Sequence, residues 1–435
     1  MNAEEKLRIK IEQAPLSLYQ IGIVALCFLL NMNDGIDVLL VSFTASDIVN
    51  EFGLTKSKLG FIFSSGLVGM TLGCFSIAPL GDKLGRRKIF LFSLSCITLG
   101  MFGMYISPAY WLLLVSRFIT GLGIGGILPT MATIVSEYSN NRTRDFNVGL
   151  IQGGWPLGAI LTGIFCTWAI PEFGWRFTYL ITGLAALVLL IATWAVMPES
   201  IPFLSRMQPA NALKTINGQL IKMKLSEIEA LPDKQIVQDT FQWKEVLTRE
   251  YKKSTIRLWV GIFFGFLTLY TLMSWVPTIA KDAGMPFELA TYVGMALNLG
   301  AFVGVVIMGG FVTKVGSRLT LLSFMVIAFI LMIIYSRFTM TYYYMMGLIF
   351  LLGFFVQGGF NAYFPTATRI YPSSIRSTGI GLAFGIGRVG AILGPFLFGY
   401  LSDRGVDIKN LFILFSLPLL ISGIMAYSIP SKNIR

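Results

Sequence analysis

The chain has 435 residues, of which 55% are hydrophobic and 13% charged, where an ordinary soluble domain carries about 25% charged residues; this excludes a water-soluble globular protein and points to the bilayer as solvent. The net charge of +12 recurs between apolar runs instead of gathering in one basic segment, which excludes a nucleic-acid surface and fits topology signals. With no histidine in the chain, His-based metal sites are excluded and proton chemistry falls to carboxylates.

Twelve apolar segments follow one another, near 19–43, 57–79, 89–106, 110–137, 147–170, 176–197, 257–280, 289–312, 319–337, 342–367, 378–401 and 410–429. Each has about 18–28 residues, enough to cross the hydrocarbon with some tilt. They are too long and continuous for the alternating strands of a porin. Glu4, Glu5, Lys6, Arg8, Lys10 and Glu12 make a mixed-charge lead; a run of spanning length follows it, so the N-terminus does not read as a cleavable signal. Cys27, Cys74, Cys96 and Cys166 all lie in apolar stretches and read as small core residues, with no disulfide framework or metal site.

The first segment holds two aspartates in Asn31-Met32-Asn33-Asp34-Gly35-Ile36-Asp37. A carboxylate near a bilayer centre costs roughly 2.5–3.5 kcal/mol on insertion scales. Asp34 and Asp37 are three apart and share one helix face, which should point into a bundle or a wet cavity. They read either as proton-coupling groups or as structural aspartates paired with basic groups. Arg117 in the fourth segment is an intramembrane cation. Either it sets the proton affinity of the aspartate pair, since a nearby cation lowers a carboxylate pKa, or it is their fixed partner.

Lysine and arginine set the orientation. Lys6, Arg8 and Lys10 precede the first segment; Lys83, Arg86, Arg87 and Lys88 follow the second; Arg142 and Arg144 follow the fourth; Lys314 and Arg318 follow the eighth; Arg369 and Arg376 lie between the tenth and eleventh. The opposite connections hold only Lys56, Lys58, Arg176, Lys281, Arg337, Arg404 and Lys409. The positive-inside rule then places both termini in the cytoplasm. From Pro198 to about Thr255 the chain is polar, with Lys214, Lys222, Lys224, Lys234, Lys244, Arg249, Lys252 and Lys253. This central connection reads as a solvated linker on the membrane surface, with a short amphipathic helix around Ala212–Leu225. The divisions are thus 1–197, a six-span half; 198–255, the connection; and 256–435, a second six-span half.

The halves repeat one another. A shift of about 232 residues lays Gly158-Ala159-Ile160-Leu161 on Gly390-Ala391-Ile392-Leu393, Gly149 on Gly381, Gly153 on Gly385, Arg144 on Arg376 and Gly121 on Gly353. A parallel six-span repeat marks a transporter architecture with its substrate site between the halves. Departures from the repeat then carry information. Pro156 falls opposite Arg388, and Pro129 opposite Asn361. Arg388 sits well inside the eleventh segment and cannot shed its proton. Its planar fork suits a carboxylate, supplied either by a substrate or by an acid of the other half. Gly385–Gly390 matches G-x-G-x-x-G, yet follows no strand, so it is no dinucleotide fingerprint; glycines at 381, 385, 390 and 394 read as close helix packing.

Several motifs carry a resemblance. Ala78-Pro79-Leu80-Gly81-Asp82-Lys83-Leu84-Gly85-Arg86-Arg87-Lys88 resembles the loop signature of the major facilitator superfamily. Arg117 to Gly125 is similar to its fourth-helix motif, Pro198-Glu199-Ser200 with Pro202-Phe203-Leu204 to the end of its sixth helix, and Glu137 with Arg144 and Tyr371-Pro372 with Arg376 to its matching turns. Asp34-Gly35-Ile36-Asp37 resembles the D-G-x-D motif of the aromatic acid:proton symporters, whose members also include a muconate carrier, and Arg388 in a G-R-x-G-A setting fits that group. The second loop copy departs, with Thr313 where Asp82 stands.

The resemblance implies an all-α membrane protein of twelve transmembrane helices in two six-helix halves related by a pseudo-two-fold, the major facilitator fold. It implies a proton-driven importer of an organic, aromatic carboxylate in the inner membrane, with the proton as coupling ion and no other cofactor. No G-x-x-x-x-G-K-[ST] loop is present, so no ATP-hydrolysing engine is read, and no enzyme activity is expected. Asp34, Asp37 and Arg117 are the candidate coupling groups. Arg388, Gln152, Trp155, Tyr270, Trp275, Asn298, Gln357, Asn361 and Tyr363 are candidate substrate contacts; the aromatic ones can stack on a ring or serve packing and interface anchoring. Asp82, Arg86, Arg87, Glu137, Arg144 and Arg376 are candidate gating groups. The expected partners are a small organic acid and lipid, with the chain monomeric. A carrier of another solute, or a sensor on the same fold, stays open.

Overall fold

In the hydrocarbon region a chain must satisfy its own backbone, and a run of apolar residues does so as a helix. The computed structural model describes residues 3–231, 244–337, 342–371 and 375–430; Lys234 of the central connection and Pro372 of the second-half turn lie outside them. After a short amphipathic helix, Ala3–Gln13, come the first span, Leu18–Phe52, the second, Lys56–Ser76, the third, Arg86–Ile106, and the fourth, Tyr110–Glu137. The seventh is Lys252–Asp282, the eighth Phe287–Val315, the ninth Ser317–Arg337, the eleventh Arg376–Asp403 and the twelfth Ile408–Ser428. The tenth is two pieces, Tyr342–Asn361 and Tyr363–Ile370.

Between the fourth and seventh, one apolar stretch, Phe146–Val196, runs for 51 residues. At 1.5 Å per residue a straight helix of that length would measure about 76 Å, more than twice the ~30 Å hydrocarbon core. Gly174 resolves the conflict: its φ of 79° and ψ of 166° are non-helical and break the rod. Glycine alone takes that conformation without strain. The fifth and sixth spans therefore flank Gly174, and the apolar crossings among the described residues number twelve, as the sequence expects.

By contact the chain divides into two compact units. The first comprises Met1–Asp37, Val68–Gly158 and Tyr179–Asp239; the second comprises Val38–Leu67, Ala159–Thr178 and Thr240–Arg435. In the first the third and fourth spans pack together; in the second the eighth packs on the tenth, the seventh on the eleventh and the ninth on the twelfth. Small residues let backbones approach: a Cβ at Gly390 would strike the Phe263 carbonyl, and one at Gly394 the carbonyl of Leu267. Gly381 has open space around it instead, so the packing role expected there is not met.

The central connection also departs from expectation. Its helix, Ala212–Lys222, is docked and not solvated: Ile216 and Leu220 are fully buried. Gln219 Nε2 donates to the Glu199 carbonyl at 3.0 Å, and the Gln219 side-chain oxygen accepts from Tyr138 Oη at 2.8 Å. The amphipathic stripe has found an apolar partner, the neighbouring helix Ile201–Met207.

Candidate functional site

The acidic face of the first span is built by close approach to the fifth. A Cβ at Gly35 would overlap the Trp155 carbonyl, so the glycine between the two aspartates admits the neighbouring backbone. One turn earlier, Asn31 Nδ2 donates to the Ile151 carbonyl at 2.5 Å. Asp34 and Asp37 are 3% and 1% exposed, and Arg117 4%. Arg117 Nη1 donates to Asp37 Oδ1 at 2.6 Å. The structure thus joins Arg117 to Asp37 as a buried ion pair. Asp37 Oδ2, Arg117 Nε and both polar atoms of Asn33 have no hydrogen-bond partner among the described residues. Buried polar groups are rarely left so, which marks this face as more than packing.

The eleventh-span cation is framed by aromatic rings. Arg388 Nη1 donates to Tyr270 Oη at 2.7 Å, and its guanidinium carbon lies 5.4 Å from the Phe266 ring centroid and 5.7 Å from that of Tyr270. Phe266 and Tyr270 are one turn apart on the seventh span, so they meet the cation together. Phe266 stacks on Phe360 at 4.3 Å, and Phe384, one turn before Arg388, stacks on Phe364 at 4.3 Å. Sequence reasoning missed Phe266, Phe364 and Phe384; the four-residue spacing of Phe266 to Tyr270 and of Phe384 to Arg388 was the signal that could have found the first and last, and no such spacing marks Phe364.

The remaining candidate contacts are not alike. Gln357 Oε1 is buried without a partner among the described residues, while its carbonyl accepts from Asn361 Nδ2 at 3.0 Å. Asn298 is 1% exposed, with Nδ2 donating to Gly294 of its own helix at 2.9 Å and Oδ1 unpartnered among the described residues. Gln152 is exposed at the end of the helix Arg144–Gln152, and Trp155 is half-buried. Trp275 and Tyr363 are placed as core side chains. Trp275 is 1% exposed, donates to the Pro395 carbonyl at 3.0 Å and packs edge-on to Phe63. Tyr363 is fully buried against Ser422, its hydroxyl 2.8 Å from the Ser422 carbonyl.

The loop after the second span is a charge cluster. Gly85 turns the chain at φ 102°. The Glu199 carboxylate there accepts from the backbone N–H groups of Arg86 at 2.7 Å and Arg87 at 3.2 Å, an acid seated on a helix N-terminus. Arg86 pairs with Glu137 and, at 3.5 Å, with Asp82; Arg206 donates to the Asp82 carbonyl. Arg87 donates to the Trp194 carbonyl at 2.5 Å. Arg144 pairs with Glu12 at 2.7 Å; Arg376 belongs to the second unit, where it donates to the Tyr371 carbonyl at 3.3 Å, and no contact joins it to these groups among the described residues. The Tyr138 hydroxyl, bonded to Gln219, also lies 2.8 Å from the Glu199 carbonyl, and burial pushes its pKa well above the ordinary range. Glu12, Glu199 and Arg206 are thus functional-looking members that the sequence reading left out of the cluster.

Comparison with known proteins gives the frame. The model of the Major Facilitator Superfamily matches residues 24–341 and 258–434. A gallate transporter of Pseudomonas putida is 28% identical over 409 residues, covering 94% of this chain and 91% of the relative. A 4-hydroxybenzoate transporter, PcaK, of Pseudomonas putida is 30% identical over 393 residues, covering 89% and 87%. The crystal structure of a D-xylose–proton symporter superposes with a TM-score of 0.72 at 15% identity, covering 95% of this chain and 99% of that one; at that identity it speaks for the fold.

Proposed function

The chain belongs to the Major Facilitator Superfamily, and from that premise we propose that it imports an aromatic carboxylate by proton symport, with alternating access. The observation that carries this reading is the Arg388 guanidinium bonded to Tyr270 and flanked by Phe266. A fixed fork of donors binds a carboxylate with two parallel bonds, and the surrounding rings offer faces and edges to an aromatic body. Relatives named for gallate and 4-hydroxybenzoate support the same substrate class.

Asp37 and Arg117 supply the coupling. Protonating Asp37 dissolves its ion pair with Arg117, a change of charge on a buried face that a conformational change can follow. Asp34 shares that face and is the second coupling candidate. Substrate charge meets Arg388, with Gln357, Asn361, Asn298, Gln152 and Trp155 as supporting polar and ring contacts. The substrate carboxylate neutralises Arg388 and removes the penalty of closing the cavity over that charge, and the halves 1–197 and 256–435 alternate about the site. The Asp82–Arg86–Glu137 cluster, with Arg87, Arg144 and Arg376, gates the cytoplasmic side. The protein works as a monomer in the inner membrane, both termini inside, the proton its only coupling ion.

A thermal-shift screen on purified protein tests this. Gallate, 4-hydroxybenzoate and benzoate are compared with muconate, with the amide of the best acid and with xylose. The reading expects stabilisation by an aromatic acid and none by its amide. Stabilisation by xylose alone would remove it.

A further inference from the structure

Three elements of the first compact unit meet around a cavity: the opening helix Ala3–Gln13, the end of the fourth span with the turn after it, and the helix Ile201–Met207. The opening helix is held in place at its end. The Glu12 carbonyl accepts from the Asn141 N–H at 2.9 Å, and the Ala14 carbonyl accepts from Asn140 Nδ2 at 2.9 Å. Arg144 Nη2 donates to Glu12 Oε1 at 2.7 Å, and Arg144 Nε donates to the Ser136 carbonyl at 3.2 Å. The helix is therefore a wall of the cavity and not a free tail.

The cavity has a volume of about 410 Å³, within the range of small-molecule sites. Leu7, Ile11, Ile201 and Pro202 give it apolar lining; Leu7 and Ile11 stand one helical turn apart and so share a face. Two other lining residues leave polar atoms bare. Ser205 is 4% exposed, and its Oγ has no hydrogen-bond partner among the described residues. Glu137 gives Oε1 to Arg86, while its Oε2 is buried and likewise has no partner among them. Buried polar atoms left without a bond cost free energy, so a ligand that supplies those bonds gains from both.

Charge narrows the ligand. Glu12 and Glu137 each already have an arginine partner, so the cavity calls for no further cation, and two carboxylates in its lining oppose an anion. What Glu137 Oε2 lacks is a donor, and a phenolic O–H, more acidic than that of an alkanol, suits a carboxylate oxygen. We propose that this cavity binds an uncharged phenol with an apolar body, its hydroxyl groups meeting Glu137 Oε2 and Ser205 Oγ. The site is distinct from Arg388, which belongs to the other unit: there a carboxylate is the ligand, and here it is excluded.

Photolabelling tests this without transport, so its failure is separable from failure of the carrier reading. The purified full-length chain is illuminated with an alkylphenol that carries a diazirine on its alkyl chain, and labelled peptides are mapped by mass spectrometry. Label should fall on Ala3–Gln13 or Ile201–Met207, and excess 4-propylphenol should suppress it. Propylbenzene, the same body without the donor, and 4-propylbenzoate should compete at least about tenfold less well. Ser205→Ala should weaken competition by 4-propylphenol about two- to tenfold. Ser205→Phe and Ile11→Trp fill the cavity from two walls, and each should abolish the label there, with the unfolding temperature as the check on folding. Arg388→Ala should label as the parent chain does. If a filled variant fails to fold, the comparison of 4-propylphenol with propylbenzene still decides. Label confined to other helices, equal competition by propylbenzene, or label that persists in both filled variants would overturn the proposal.

Discussion

Arg388 is the residue on which substrate choice turns. Losing one partner of a buried charge pair typically costs about 3–5 kcal/mol, so Arg388→Ala should leave acid binding undetectable by calorimetry and Arg388→Lys should weaken it at least about a hundredfold. Tyr270→Phe removes the hydroxyl that holds the guanidinium; a hydrogen bond to a charged group is worth about 1.5–3 kcal/mol, so binding should weaken by about tenfold or more. If Arg388→Ala still prefers the acid to its amide, the arginine is structural. For Asp37, paired with Arg117, Asp37→Asn should abolish accumulation against a gradient in vesicles. The same holds for Asp34→Asn, and at least one of the two should keep substrate exchange. Wild-type accumulation in both would rule these acids out as coupling groups. The intramembrane charges were legible in the sequence because each is an anomaly in an apolar run. Aromatic contacts were not, because in a chain with 14% aromatic residues identity does not tell which face a ring takes. Trp275 and Tyr363 went to the core, while Phe266 went to the cation.

Among the elements, the turn between the second and third spans is the most constrained. Gly85 has a positive φ, and an added Cβ would overlap the Glu199 carboxylate. Gly85→Ala should therefore displace Glu199 and slow transport more than a conservative loop change would, visible as lost maximal rate at retained binding. Asp82→Asn should likewise lower the rate of uptake more than the affinity, since a gate biases conformations without touching the solute. A fall in affinity with unchanged maximal rate would reject the gate. Thr313, in the degenerate second copy, donates to the Gly310 carbonyl of its own helix at 2.9 Å, and Thr313→Ala should be nearly silent. The loop's charged residues were legible, and so were the span positions, from run length and charge. Glu199 was visible as the end of the sixth helix, but its seat on the Arg86 and Arg87 amides was not, because the contact spans 113 residues of sequence. The central helix was legible as amphipathic, yet its burial depends on a partner surface that only folding assembles.

For the whole molecule, the twelve crossings and the membrane setting follow from composition and run length, and the family follows from motifs in the right order. What the sequence could not supply is tertiary in origin: which acid Arg117 meets, and which ends of the spans seal together. Lys56 and Lys281 counted only as sparse charges on the outer connections, although Asp282 and Asp47 complete their pairs. The central claim, proton-driven import of an aromatic acid anchored at Arg388, is most directly tested in proteoliposomes. Purified protein, wild type and Arg388→Ala, is given the radiolabelled acid that binds best in the thermal-shift panel, with and without an imposed pH gradient, acid outside. The account expects the wild type to accumulate the acid above its external concentration only with the gradient, to lose that accumulation on adding a protonophore, and the Arg388→Ala variant to take up none. Accumulation indifferent to the gradient, or equal in Arg388→Ala, would contradict it.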